Sequence, residues 1–214
     1  MSLLDDVEAL IEERHLLTHP FYAKWVAGTL PKAAIRGYAR QYYAFKSSFP
    51  RFLSAIHSRC EDPDVRQAIL ENLWDEEHGK ENHRELWLRF AEGVGVARDD
   101  VIGADRNEAT EALVQTYREV CAESEPAAGL AAIHAYKQQV PAVAGAKIGG
   151  LAAHYGIDDD RTLAFWRVHE SLDVEHADAE RRILADAEFQ PVLDATRRAL
   201  DAWWRFLDAV DVLA

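Results

Sequence analysis

The sequence predicts an all-α protein. Helical spacing of apolar residues runs nearly from end to end of the 214 residues, whereas the alternating β-branched runs typical of strands are absent. Prolines and glycines fall where one helical pattern gives way to the next. The longest connection between patterns is 94–107, so no linker divides the chain. We therefore expect one helical domain over residues 1–214.

The predicted helices follow these signals in chain order. An acidic amphipathic segment opens the chain, and the next four helices begin close to prolines, because the first helical turn accepts a residue without an N–H. These prolines are Pro20, Pro31, Pro50 and Pro63. With boundaries good to about two to four residues, the helices are predicted at 3–16, 19–28, 31–47, 50–60, 64–93, 107–123, 126–154, 160–186 and 189–212.

Glycine and proline also mark the later part of the chain. Gly93, Gly95, Gly103 and Gly156 punctuate helix ends. Pro141 is different because it lies inside the otherwise continuous pattern 126–154. A proline there removes a backbone hydrogen bond, so we expect a kinked helix at this position.

The composition excludes several classes of partner. A formal net charge of −13 without a basic patch argues against nucleic acid and against an anionic membrane surface. Cys60 and Cys121 are not part of a Cys-x-x-Cys motif, so neither a disulfide framework nor a zinc site is indicated. The N-terminus does not read as a signal peptide, and no apolar run approaches transmembrane length. We expect a cytoplasmic protein.

Possible metal ligands recur with helical spacing in two segments. His169, Asp173 and His176 stand at i, i+4 and i+7, which places them in one stripe of a helix. Glu76 and His83 are also seven residues apart, inside the predicted helix 64–93. Carboxylates and neutral imidazoles suit iron or manganese, and helical bundles build dimetal centres from such residues on facing helices. The sequence therefore predicts a metal-dependent oxidase.

Each stripe alone has a simpler interpretation. Acidic helices in a chain with nine histidines will sometimes show such spacing on a solvated face. Apolar neighbours such as Leu73, Trp74, Phe165 and Trp166 favour burial instead. Buried ionisable groups require a metal or other partners, so the two stripes together favour a metal centre.

Six segments carry a more specific pattern, and their order and spacing agree with one known family. They are 19–25, 49–60, 76–83, 135–141, 147–151 and 169–176. In these segments the chain resembles the chlamydial CADD-type proteins, which are heme-oxygenase-like dimetal oxidases and act as para-aminobenzoate synthases in folate biosynthesis. The resemblance implies a heme-oxygenase-like helical bundle of the PqqC/TenA type, a homodimer, and dioxygen and a reductant as co-substrates.

The resemblance also implies that the cofactor is iron or manganese, or both, and it implies which residues bind the metal. Five of the family's metal ligands correspond to Glu76, His83, His169, Asp173 and His176. At the sixth position, where the family has glutamate, this chain has Lys137, and an ammonium group has no lone pair for a metal. Three outcomes stay open: one metal is lost, Lys137 coordinates as a neutral amine, or Lys137 is carbamylated.

In this family the enzyme itself is the substrate. By resemblance, Tyr22 supplies the aromatic ring, Lys147 supplies the amino nitrogen, and Tyr136 is a candidate for radical relay or for hydrogen bonding near the metals. Two alternatives remain at this stage. One is an oxidase of a small external substrate, as in pyrroloquinoline-quinone synthesis, and the other is a non-enzymatic protein-interaction module whose partner is unknown.

Overall fold

The computed structural model describes residues 2–171 and 189–213, and the regular structure within these two ranges is helical. The helices are α1 Leu3–Glu13, α2 Pro20–Val26, α3 Lys32–Lys46, α4 Phe49–His57, α5 Pro63–Glu77, α6 His83–Gly93, α7 Arg98–Ile102, α8 Glu108–Glu123, α9 Pro126–Lys137, α10 Val140–Gly150, α11 Asp160–Ser171 and α12 Phe189–Asp211. A 3₁₀ turn, Leu16–Thr18, precedes α2, and a π turn, Leu151–Tyr155, extends α10. The prediction of an all-α chain is confirmed.

Side-chain caps begin several of these helices. Asp62 accepts hydrogen bonds from the N–H groups of Asp64 and Val65 at the start of α5, and Asn107 caps α8 through Thr110. Such oxygens satisfy N–H groups that have no partner inside the helix. Prolines occupy the first turn of α2, α4 and α5, as the sequence predicts.

The prediction of one helix over 64–93 is wrong. Helix α5 ends at Glu77 and α6 begins at His83. Gly79 lies between them with φ +78°, a left-handed conformation that glycine adopts without steric cost. Asn82 then caps α6 by accepting a hydrogen bond from Glu85 N–H at 3.0 Å. Gly79 and Asn82 are both visible in the sequence as signals that end and begin a helix. The helical spacing of apolar residues on either side favoured one continuous helix instead.

The prediction of a kink inside helix 126–154 is also corrected, because the chain divides there into α9 and α10. Pro141 occupies the first turn of α10, where its missing N–H leaves no gap in the hydrogen bonding. Gln139 holds the junction: its Nε2 donates to Ala135 O, and its Oε1 accepts from Leu16 N–H. The predicted connection 94–107 likewise contains the short helix α7.

The core lies around α9, which is buried on nearly every side. One of its faces joins a small cluster between α1 and α12, and the others join the main core, which is rich in aromatic rings. Helix α6 packs closely on α11 because Gly93 has no side chain: a Cβ at that position would lie 2.1 Å from the Thr162 hydroxyl. No described helix has both the length and the apolar character to cross a membrane.

Candidate active site

Three of the predicted ligands converge between α5, α6 and α11. Glu76 lies in the last turn of α5, His83 is the first residue of α6, and His169 lies near the end of α11. All three are buried, and each offers a ligand atom within 4.8 Å of those of the other two. Asp173 and His176, the remaining predicted ligands, lie outside the described residues.

The two imidazoles are arranged differently. His169 Nδ1 lies 2.6 Å from the carbonyl oxygen of Phe165, so the proton belongs on Nδ1 and the lone pair remains on Nε2. Burial, and then the nearby Lys46 ammonium, hold the pKa of His169 well below its usual value, which keeps the ring neutral. His83 Nδ1 lies 3.0 Å from Glu76 Oε1, but the two atoms are not aligned as a hydrogen bond.

The structure adds Lys46, a residue that the sequence analysis missed. Its Nζ lies 2.7 Å from Glu76 Oε1, and its side chain is 1% exposed. Burial raises the pKa of the Glu76 carboxyl, but the charges of Lys46 and His83 outweigh it and hold that pKa well below its usual value. Lys46 is the last residue of α3 and precedes two serines, so no motif distinguishes it from a lysine at a helix end.

A small cavity opens beside these residues. Lys46, Glu76, His83 and His169 line it, together with Phe49, Asn72, Asp75, Tyr136, Lys137 and Val140, and its free volume is about 20 Å³. That volume accommodates a water molecule or an ion but not an aromatic ring. Lys137, the residue at the family's glutamate position, is buried and lines this cavity.

A second cluster surrounds Lys147 in the aromatic core. Its Nζ donates a hydrogen bond to the Tyr38 hydroxyl and lies 5.1 Å from the centre of the Tyr22 ring. The rings of Tyr38 and Trp166 are each 4.1 Å away. Burial in these surroundings holds the pKa of Lys147 well below its usual value, which favours the neutral amine. We call this group, Tyr22, Tyr38, Lys147 and Trp166, the lysine cradle.

Phenol groups connect the two clusters. The Tyr22 and Tyr38 rings both lie beside Lys147, and burial raises the pKa of both phenols. The rings of Tyr38 and Tyr42 are 5.4 Å apart, and the Tyr42 and Tyr136 hydroxyls are hydrogen-bonded to each other. Tyr136 lines the metal-site cavity. Tyr38 and Tyr42 were missed in the sequence, although their spacing of four residues places both on one helix face.

The donor set fits a redox metal. Two imidazoles and one carboxylate are the ligands that non-heme iron enzymes use while leaving coordination positions open. The sequence signature of a family described as iron-containing redox enzymes matches residues 36–209. The chain belongs to that family. It is therefore an oxidase or oxygenase, and its family and its Glu–His cluster both indicate a metal.

Curated relatives agree with this assignment. The chain is 42% identical to the 4-aminobenzoate synthase of Nitrosomonas europaea, over 95% of this chain and 89% of that protein. It is 39% identical to the Chlamydia muridarum enzyme of the same name, over 98% and 90%. The pyrroloquinoline-quinone synthase of Rhizobium meliloti is more distant, at 31% identity over 93% and 80%. The resemblance to CADD-type proteins is confirmed.

Solved structures confirm the fold. A TenA homologue from Pseudomonas syringae superposes with a TM-score of 0.79 at 15% identity, over 97% of this chain and 90% of that one. A CADD-like protein from Nostoc punctiforme gives a TM-score of 0.74 at 18% identity, over 96% of both chains. The protein has the heme-oxygenase-like fold.

Proposed function

We propose that this protein is an oxygen- and metal-dependent 4-aminobenzoate synthase that consumes its own Tyr22 and Lys147. The observation that carries the proposal is the lysine cradle, where a buried amine lies against the ring of the tyrosine that would become the product. The Nitrosomonas europaea and Chlamydia muridarum relatives, both named 4-aminobenzoate synthase, support the same activity.

The cradle prepares both reacting side chains. A neutral lysine has a lone pair on nitrogen, whereas an ammonium does not. Because burial lowers the pKa of Lys147, its nitrogen is available to replace the phenol oxygen of Tyr22. Tyr22 is 3% exposed, so the surrounding rings exclude water from a reactive ring. Conversion of the ring to product would also require cleavage of the Cα–Cβ bond of Tyr22, oxidation of Cβ to the carboxyl group, and cleavage of the Cε–Nζ bond of Lys147 to release the nitrogen.

Glu76, His83 and His169 would hold the metal. A bound redox metal would activate dioxygen, the oxidant that such a conversion requires, with electrons from a reductant. The described residues separate this centre from Tyr22, and the cavity beside it is too small for an aromatic substrate. The phenols of Tyr38, Tyr42 and Tyr136 span the interval, so we assign them the transfer of electrons and protons between the two clusters.

Isotope tracing tests the proposal. The full-length protein would be produced with ring-labelled tyrosine and then supplied with Fe(II) or Mn(II), a reductant and dioxygen in unlabelled buffer. We expect labelled 4-aminobenzoate in an amount of no more than about one molecule per chain. The intact mass of the protein should fall by the mass of the atoms that leave it in the product. A second labelling with ¹⁵N-lysine should place the label in the amino group. Unlabelled product over many turnovers would contradict the proposal.

The relatives that make pyrroloquinoline quinone supply a second candidate, an oxidase of a small external substrate. The same experiment separates the two candidates, because an external substrate would sustain many turnovers and leave the protein mass unchanged. The homodimer implied by the resemblance stays a prediction, which light scattering on the purified protein would test. A role as a protein-interaction module also stays a prediction.

A further inference from the structure

Lys46 places a positive charge inside the proposed metal centre. We infer that Lys46 is a fixed cation that limits this centre to one metal ion per chain. The inference rests on the proposed function in one respect, namely that Glu76, His83 and His169 bind a metal. It goes beyond that function by assigning the stoichiometry to a lysine on α3.

The position of Lys46 leaves only one oxygen of Glu76 available to a metal ion. A carboxylate bridges two metal ions by giving one oxygen to each, and Glu76 is the carboxylate of the described cluster. Its Oε1 already lies 2.7 Å from Lys46 Nζ. A metal ion bonded to that oxygen at about 2.0–2.2 Å would lie within about 5 Å of the ammonium, where a buried dication is strongly repelled. One oxygen of Glu76 therefore remains for a metal.

Packing keeps Lys46 in place. Its Nζ lies 5.0 Å from the centre of the Phe49 ring and 5.5 Å from that of Phe165. Rings at this distance attract the cation and fill the space that a displaced side chain would need. The ammonium is thus held by a carboxylate and two aromatic rings, and a second metal ion would have to displace it from all three.

The donors that the described residues supply suffice for one ion. Two imidazoles and one carboxylate form a complete protein ligand set for a mononuclear non-heme iron site. The free volume of about 20 Å³ also matches a single ion or water. Lys137 lines the same cavity, so at the position where the family has glutamate no side-chain carboxylate is available for an additional metal. Within the part of the site that the structure describes, the charge of Lys46, the space and the donor count agree on one metal ion.

Metal stoichiometry tests the inference with Mn(II) alone as the probe. Metal-free full-length protein would be equilibrated with Mn(II), and bound metal per chain would be measured together with the electron paramagnetic resonance spectrum. The wild type should bind one ion and give the six-line signal of isolated Mn(II). Lys137→Glu, which restores the family's carboxylate, should still bind one. Lys137→Glu with Lys46→Met should bind two and show an exchange-coupled spectrum.

The control for the double variant is Lys137→Glu with Lys32→Met, which removes a lysine at the other end of α3 and should bind one ion. If Lys46→Met prevents folding, as judged by circular dichroism, Lys46→Gln takes its place. Two ions in the wild type or in Lys137→Glu alone would overturn the inference, as would one ion in the double variant. These results leave the proposed function intact. Absence of bound metal from the wild type would overturn both.

Discussion

Two buried lysines in this protein resolve the same physical problem in opposite ways. Lys46 lies beside a carboxylate and forms a buried ion pair with Glu76. Lys147 lies among aromatic rings and a phenol, and burial lowers its pKa. Removing a charge from water is costly, so a buried lysine either gains a counter-charge or gives up its proton. The first outcome suits a metal centre, and the second suits a nitrogen donor.

The largest expected effect comes from removing the phenol oxygen in the lysine cradle. Tyr22→Phe should reduce 4-aminobenzoate formation at least about a hundredfold, while the near-isosteric change keeps the packing. Product would be quantified by mass spectrometry in a single-turnover assay. Tyr43→Phe is the matched control, because Tyr43 is buried but its hydroxyl accepts a hydrogen bond from Arg84, outside the cradle. Undiminished product from Tyr22→Phe would show that this ring is only a packing element.

Breaking the ion pair between Lys46 and Glu76 should have the next largest effect, a decrease in the free energy of unfolding. Glu76→Gln leaves Lys46 without its carboxylate, and loss of one partner of a buried pair costs about 3–5 kcal/mol. Urea unfolding of the metal-free protein at pH 7 would measure this loss in the free energy of unfolding. Lys46→Met combined with Glu76→Gln should recover most of the loss, as a double-mutant cycle requires for directly coupled groups. Additive losses would mean that the two side chains are not coupled.

Replacing Lys147, whose described neighbours include no carboxylate, should change the free energy of unfolding in the opposite direction. The pKa of Lys147 is well below 10.5 in the folded chain, so between the folded and the unfolded pKa only the unfolded chain binds this proton. The group therefore makes the wild type more stable as pH rises toward 10.5. Lys147→Met removes that dependence. It should stabilise the protein at pH 7 by up to about 1.4 kcal/mol for each unit by which the pKa is depressed.

The difference in free energy of unfolding between Lys147→Met and the wild type should then become smaller as the pH rises from 7 to 9.5. Urea unfolding at several pH values in that range would follow it, below the region where tyrosines of the unfolded chain ionise. Lys32→Met, at the start of α3, should show no such trend. A gap that does not change with pH would indicate that Lys147 is protonated in the folded protein.

The smallest expected effect concerns the connection between the two regions. Tyr42→Phe removes the hydroxyl that is hydrogen-bonded to Tyr136, and we expect product formation to slow about tenfold, the equivalent of about 1.4 kcal/mol. The metal content should stay the same, because neither tyrosine belongs to the ligand cluster. The rate would be followed by rapid quench after addition of dioxygen. Equal rates for Tyr42→Phe and wild type would remove Tyr42 from the path.

The sequence by itself determined the fold class, and it supplied most of the residues that we propose for the site. Apolar spacing and the positions of proline predicted the all-α bundle, because these signals act within a few residues of the chain. The resemblance singled out Tyr22 and Lys147, which the structure brings together in the cradle. The contact between Glu76 and His83 was expected from a continuous helix, yet the helix breaks between them and the turn around Gly79 brings them together instead.

Only the tertiary structure decided the roles of Lys46, Tyr38 and Tyr42. Lys46 stands 30 residues before Glu76 in the chain, and no local pattern predicts their pairing. The surroundings of Lys147 likewise come from α2, α3 and α11, which meet only in the packed core. Local spacing fixes which face of a helix a residue occupies, whereas the charge state of a buried group depends on neighbours contributed by distant helices.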